Sequence, residues 1–188
     1  MQGIPLNERK RLGALLDDRP QTEVMAMIPQ FSQAETDNFV APPAQIPEAL
    51  GVLMFNMERG VNLPEIQEFL RDCPDIQPFD VILANELDDG CARSGNKNTA
   101  RELAQAFGLN YAWGLEFIEL VNDENAKGFH GNAVFSRWPI RRAGVIRLPE
   151  QYNWYFDRQK RIGGRLAVFA ELDVGGQPVG AVSILSLI

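Results

Sequence analysis

Two short apolar runs, Val52-Leu-Met-Phe55 and Val81-Ile-Leu-Ala84, restrict the possible folds more than any other feature. Each is too short for a helix, and the second is bounded by Pro78 and Gly90, so both read as strands buried on both faces within a covered sheet. Between them, Asn62-Leu-Pro-Glu65 has the form of a capping box, with Pro64 in the first turn where its missing N–H costs nothing. Leu63, Ile66, Phe69 and Leu70 follow at helical spacing, and Pro74 ends the helix. Such a strand–helix–strand unit implies parallel strands joined by a right-handed crossover.

Both runs end in polar residues, Asn56-Met-Glu-Arg-Gly60 after the first and Asn85, Glu86, Asp88 and Asp89 after the second. The ends of buried strands meet the rim of a sheet, where ligand sites are commonly built. If the strands are neighbours, Asn56 and Glu86 emerge at one rim, and an amide oxygen plus a carboxylate form a partial Mg2+ or Mn2+ site. The alternative is structural: Asn56 bonds its own backbone in a turn and the acids cap a strand.

The chain continues with a second capping box, Thr99-Ala-Arg-Glu102, which predicts a helix presenting Ala100, Leu103, Ala104 and Phe107 and stopping at Gly108. Strands are predicted over Tyr111–Leu120, Asn132–Ser136, Ile140–Leu148 and Arg165–Val174, and Gly175-Gly176 offers a hairpin into Pro178–Leu185. The class is α/β, with helices early and antiparallel strands late. Residues 1–50 read as an N-terminal extension. Asn7 caps a short helix with Leu12, Leu15 and Leu16 on one face, and Pro29, Pro42, Pro43 and Pro47 then mark an irregular linker. Residues 51–188 form the domain proper.

A net charge of −7 excludes an overall basic field, so a phosphate substrate needs a metal or a local patch. Such a patch runs from Pro139 to Arg165, where seven cations (Arg141, Arg142, Arg147, Arg158, Lys160, Arg161 and Arg165) face two acids. Tyr152, Trp154, Tyr155 and Phe156 interleave with them. Arg158, Lys160 and Arg161 are candidate substrate contacts, unless the patch is a solvated edge whose aromatics pack on the core. Cys73 and Cys91 have no metal-ligand spacing, and nothing requires a disulfide between them. The sequence contains no signal-peptide core and no membrane-spanning run, which points to the cytoplasm and to no transmembrane segment.

Four segments together resemble the endonuclease/exonuclease/phosphatase superfamily. Leu53-Met-Phe-Asn-Met-Glu-Arg-Gly60 resembles its first-strand motif, with Asn56 at the metal-site asparagine. Leu83-Ala-Asn-Glu-Leu-Asp88 resembles the second, with Glu86 at the metal-binding glutamate and Asn85 replacing a glutamine. Gly131-Asn-Ala-Val-Phe-Ser-Arg-Trp-Pro-Ile140 is similar to the glycine-asparagine-alanine strand, and Gly164–Glu171 to the strand after it. The resemblance implies a partial α/β sandwich with a mixed sheet flanked by helices and the second sheet incomplete. It also implies a divalent-metal-dependent phosphoester hydrolase acting on nucleic acid, phospholipid or sugar phosphate. Asn56 and Glu86 would hold the metal. From the residues themselves, Asn132 is a catalytic candidate that could bind across strand ends. His130, the one histidine, is another that could donate to a phosphate, the alternative being a solvated or structural residue. His130 comes too early in the chain to stand for the family's terminal histidine.

The histidine-leucine pair expected after Ser183 is replaced by Ile184-Leu185-Ser-Leu-Ile188. The aspartate-x-asparagine, further aspartate and aspartate-histidine groups of the family's second half have no counterpart. The expectation is therefore a chain truncated in its C-terminal half, impaired in catalysis, with an exposed sheet face that favours self-association. The alternatives are a non-catalytic phosphate-binding module and a fragment that assembles with a complementary chain.

Overall fold

The computed structural model describes residues 1–150, 153–156 and 159–185. Two sheets stack with helices against the outer face of the larger one. Its strands are β1 (Ala34–Asp37), β2 (Val52–Arg59), β3 (Val81–Asp89), β4 (Asn110–Glu119), β5 (Phe129–Ser136) and β7 (Arg161–Gly163). They run in the order β1-β4-β5-β3-β2, with β7 paired to the far end of β4. The smaller sheet is β6 (Ile140–Arg147), β8 (Leu166–Val174) and β9 (Gln177–Ile184), in the order β6-β8-β9.

β2 and β3 are parallel neighbours, joined through α3 (Leu63–Asp72) as the strand–helix–strand pattern requires. β5 is antiparallel to both β3 and β4. The C-terminal ends of β2, β3 and β4 and the start of β5 therefore share one rim. Leu53, Phe55 and Met57 face the helices, α1 (Leu6–Ala14), α2 (Gln21–Ala26), α3 and α4 (Thr99–Phe107), in one apolar layer. Val81, Ala112, Val134 and Trp138 meet Leu166, Val168 and Leu172 of the smaller sheet in the other.

Three local expectations are corrected. Asn62 starts α3 without a side-chain cap bond. At α4 the cap is Asn98, whose side chain accepts from the Arg101 N–H, while the Thr99 hydroxyl donates to the Asp88 carbonyl at 2.7 Å. The helix start thus moves by one residue and Thr99 ties it to β3. Asn7 lies inside α1, with Pro5 at the cap position.

Residues 1–50, expected as an irregular extension, instead add to the same core. Leu12, Leu16, Val24, Ile28 and Phe31 are buried in the helix-side layer. Arg9 of α1 donates to the carbonyls of Asn125 (2.6 Å) and Lys127 (2.9 Å). β1 extends the large sheet against β4, and the Asn38 side chain accepts from the N–H of Ile140 at 2.9 Å. Most of these contacts reach across more than 100 residues of chain, so a local reading misses them.

The large sheet is not bare either, since the smaller sheet covers most of its inner face. Exposure is confined to edge strand β2. Its Val52 (58% exposed) and Met54 (73%) share the face of Val81 and Leu83 but lie beyond β9.

Candidate active site

Three strands lose their regular pairing at the same level of the rim. On β2 the register shifts between Asn56 and Arg59, where Glu58 and Arg59 take φ of 47° and 68°. On β3, Asn85 and Glu86 together stand opposite Asn132, and Glu86 adopts φ 58°. On β4, Glu116 is the extra residue between Leu115, which faces Gly131, and Phe117, which faces His130. Bulges of this kind re-aim a side chain at the price of local pairing, and a left-handed glutamate is a strained residue. Gly131 sits between two of the bulges. A Cβ there would stand 2.0 Å from the Gly114 carbonyl oxygen and 2.8 Å from the Trp113 ring, so the close approach requires glycine.

Asn56 faces Asn85 in register, one residue before Glu86, so both candidate ligands lie on adjacent strands at one rim. Asn56 Oδ1 accepts the Glu58 N–H at 2.8 Å, the turn-forming bond, and retains a second lone pair. The Glu86 carboxylate is half-buried and makes no hydrogen bond or ion pair to the described residues. Among the described residues no three His, Cys, Asp or Glu side chains converge as a metal cluster. The pair thus fits only a sparse oxygen site of the Mg2+ type, in which water and substrate fill most positions.

Asn132 Oδ1 accepts the Glu86 N–H freed by the bulge at 3.1 Å, and its Nδ2 is buried with no partner. His130 is buried, with Nδ1 2.9 Å from Asp88 Oδ1 and Nε2 3.8 Å from Glu116 Oε2. Arg93 donates twice to Asp88, at 2.7 and 2.8 Å. Burial pushes the Asp88 carboxyl up, but the bonds from Arg93 and His130 outweigh it and hold the group below its usual range. An ionised Asp88 can only accept, so the shared proton sits on His130 Nδ1. Glu116 is opposite in character. Burial raises its pKa above the usual range although His130 and Arg165 pull it down, and nearby Glu86 raises it further. Its Oε1 accepts from Arg165 at 3.0 Å, while Oε2 has no hydrogen-bond partner.

The expected basic face is largely spent on internal pairs. Arg161 is buried, donates to Glu119 at 3.0 Å and covers the Phe117 ring, so its charge is compensated inside the protein. Arg141 pairs with Asp173, and Arg142 with Glu171. Arg158 lies outside the described residues. Lys160 is exposed beside the Tyr155 ring, and with Arg59 and Arg93 it lines a cleft of about 480 Å3.

Sequence reasoning assigns no role to Glu116 or Arg93, and Arg165 figures only as one cation of the basic patch. Glu116 left one signal, as the only charged residue in the run Tyr111–Ile118. No family model and no curated protein matches the chain. Among solved structures, an endonuclease/exonuclease/phosphatase family protein from Leptotrichia buccalis C-1013-b is similar, with a TM-score of 0.51 and 18% identity. The match covers 74% of this chain and 56% of that one, so this chain spans little more than half of that structure's length. At this identity the likeness establishes the fold: an α/β sandwich of a mixed sheet flanked by helices and a smaller second sheet.

Proposed function

We propose that the chain is a divalent-metal-dependent phosphoester hydrolase of the endonuclease/exonuclease/phosphatase superfamily, acting on nucleic acid, phospholipid or sugar phosphate. The observation that carries this reading is the alignment of three strand irregularities at one rim. They gather Asn56, Glu86 and Glu116 beside His130 and Asn132. Two buried polar atoms there, Asn132 Nδ2 and Glu116 Oε2, have no hydrogen-bond partner among the described residues, which suits a site completed by a ligand.

Asn56 and Glu86 are the metal-holding residues, and a bound Mg2+ or Mn2+ would offset charge developing on phosphate oxygens. The protein groups divide the remaining work. Asn132 Nδ2 donates to a phosphate oxygen. His130, fixed by Asp88, offers Nε2 to take a proton from the attacking water. Glu116 faces the same nitrogen and, with its raised pKa, is a second place for that proton. Arg165 positions Glu116.

Calorimetric titration with Mn2+ and hydrolysis of bis-p-nitrophenyl phosphate test the reading together. Glu86→Gln should abolish metal binding, and His130→Ala should lower hydrolysis by about 100-fold or more with metal binding retained. Absence of metal binding in the unaltered protein, or binding indifferent to Glu86→Gln, would rule the proposal out.

A further inference from the structure

A second cleft, of about 450 Å3, opens between α2, the Pro29–Ser32 turn, the end of β6 and the β7–β8 corner. Met25, Ile28, Phe31 and Leu148 give it a mainly apolar lining, and Arg147, Arg165 and Glu150 supply charge. Its size and composition are those of a small-molecule site: apolar walls with a few convergent polar groups.

Arg147 donates to the Phe31 carbonyl at 3.0 and 2.7 Å and to the Gly164 carbonyl at 3.1 Å, and it also reaches Leu115. Its guanidinium lies over the Phe31 ring, 4.7 Å from the centroid. Carbonyl dipoles satisfy its N–H groups but leave its positive charge in place, and no carboxylate among the described residues pairs with it. Burial accordingly lowers its pKa to about 10. Arg165, with a side chain only 10% exposed, also lines the cleft, but its charge is paired with Glu116 at 3.0 Å, and its buried Nε has no hydrogen-bond partner among the described residues. An apolar cavity bounded by a cation with no carboxylate in ion-pair reach among the described residues, Glu116 acting on it only from farther off, selects for negative charge attached to an apolar body. Glu150, the single acid in the lining, is exposed.

The geometry points to this cleft as a binding site for a fatty carboxylate, with the alkyl chain against Met25, Ile28 and Phe31 and the head group at Arg147. The site goes beyond the phosphoester reading and needs no metal, so it is tested in EDTA, where a failure of that reading has no effect. The full chain is titrated calorimetrically with hexanoate, octanoate, decanoate and neutral octanol. Affinity should rise about threefold to fourfold per added methylene until the cleft is full. Octanoate should bind at least tenfold more tightly than octanol. Thr22 and Ala26 line the cleft from the exposed side of α2, so Thr22→Trp and Ala26→Trp fill it without disturbing the core. Each should weaken decanoate at least tenfold with the melting temperature unchanged. Displacement of 8-anilinonaphthalene-1-sulfonate by decanoate gives a second measurement on the unaltered protein. Absence of saturable decanoate binding, affinity independent of chain length, or full affinity in both tryptophan variants would overturn the assignment.

Discussion

Asp88 and Glu116 meet the two ring nitrogens of buried His130, and their pKa shifts run in opposite directions. Asp88 is held below its unfolded value. Its stabilising contribution is therefore complete above the usual carboxylate pKa of about 3.9 and is lost as pH falls through the folded value. Glu116 is raised, so it works against folding as pH climbs from the usual range through its folded value. Asp88→Asn removes one of the two carboxylates that Arg93 bonds, Glu119 remaining at 3.0 Å, and weakens the hold on the His130 ring. It should cost about 1–3 kcal/mol in urea unfolding at pH 7. The gap from the unaltered protein should close below about pH 4, where Asp88 begins to lose its charge. A constant gap down to pH 2 would show that the charge is not what matters. Among single residues, those at strand ends were legible in the sequence, because Asn56 and Glu86 each close an apolar run. Arg165 was not, since its partner Glu116 lies 49 positions away and only the folded sheets bring the two together.

At the level of elements, β4, β6, β8 and β9 were read to within a residue at each end, because alternation and turn glycines mark them, while the β2 and β3 runs stopped short of the rim. Gly175 and Gly176 do form the hairpin between β8 and β9. The bulges left no such mark, as an inserted residue is defined by what stands across from it. Gly131 depends on these bulges most directly. Gly131→Ala forces a methyl group against backbone, where no side chain can yield, and should cost about 3 kcal/mol. Faster amide exchange at Gly114 and Leu115 would identify the loss as opening between β4 and β5. An alanine variant as stable as the parent would mean that the two strands can part without penalty. β1 was also illegible: Ala34-Glu-Thr-Asp37 has no apolar alternation and joins the sheet through its backbone.

For the whole molecule, coverage of the large sheet is the decisive quantity. The smaller sheet reaches β3, where Ser183 of β9 receives the Asn85 amide at 3.2 Å, and leaves Val52 and Met54 of β2 uncovered. An edge strand with apolar side chains is a template for pairing with another copy. We expect concentration-dependent self-association in sedimentation velocity, reversed by Met54→Lys. A sedimentation coefficient that stays flat up to several hundred micromolar would refute this.

The guanidinium of Arg147 bonds Phe31 from the N-terminal segment, Leu115 from the large sheet and Gly164 from the β7–β8 corner, all through backbone oxygens. Arg147→Met should leave these carbonyls unsatisfied and cost about 2–4 kcal/mol. Trypsin would then cut first before Gly51 while the sheets persist, and simultaneous digestion of the whole chain would contradict this. The part of the first fifty residues' protease resistance that Arg147 supplies runs through a backbone carbonyl and no carboxylate among the described residues, so a rise in ionic strength should leave that one tether in place.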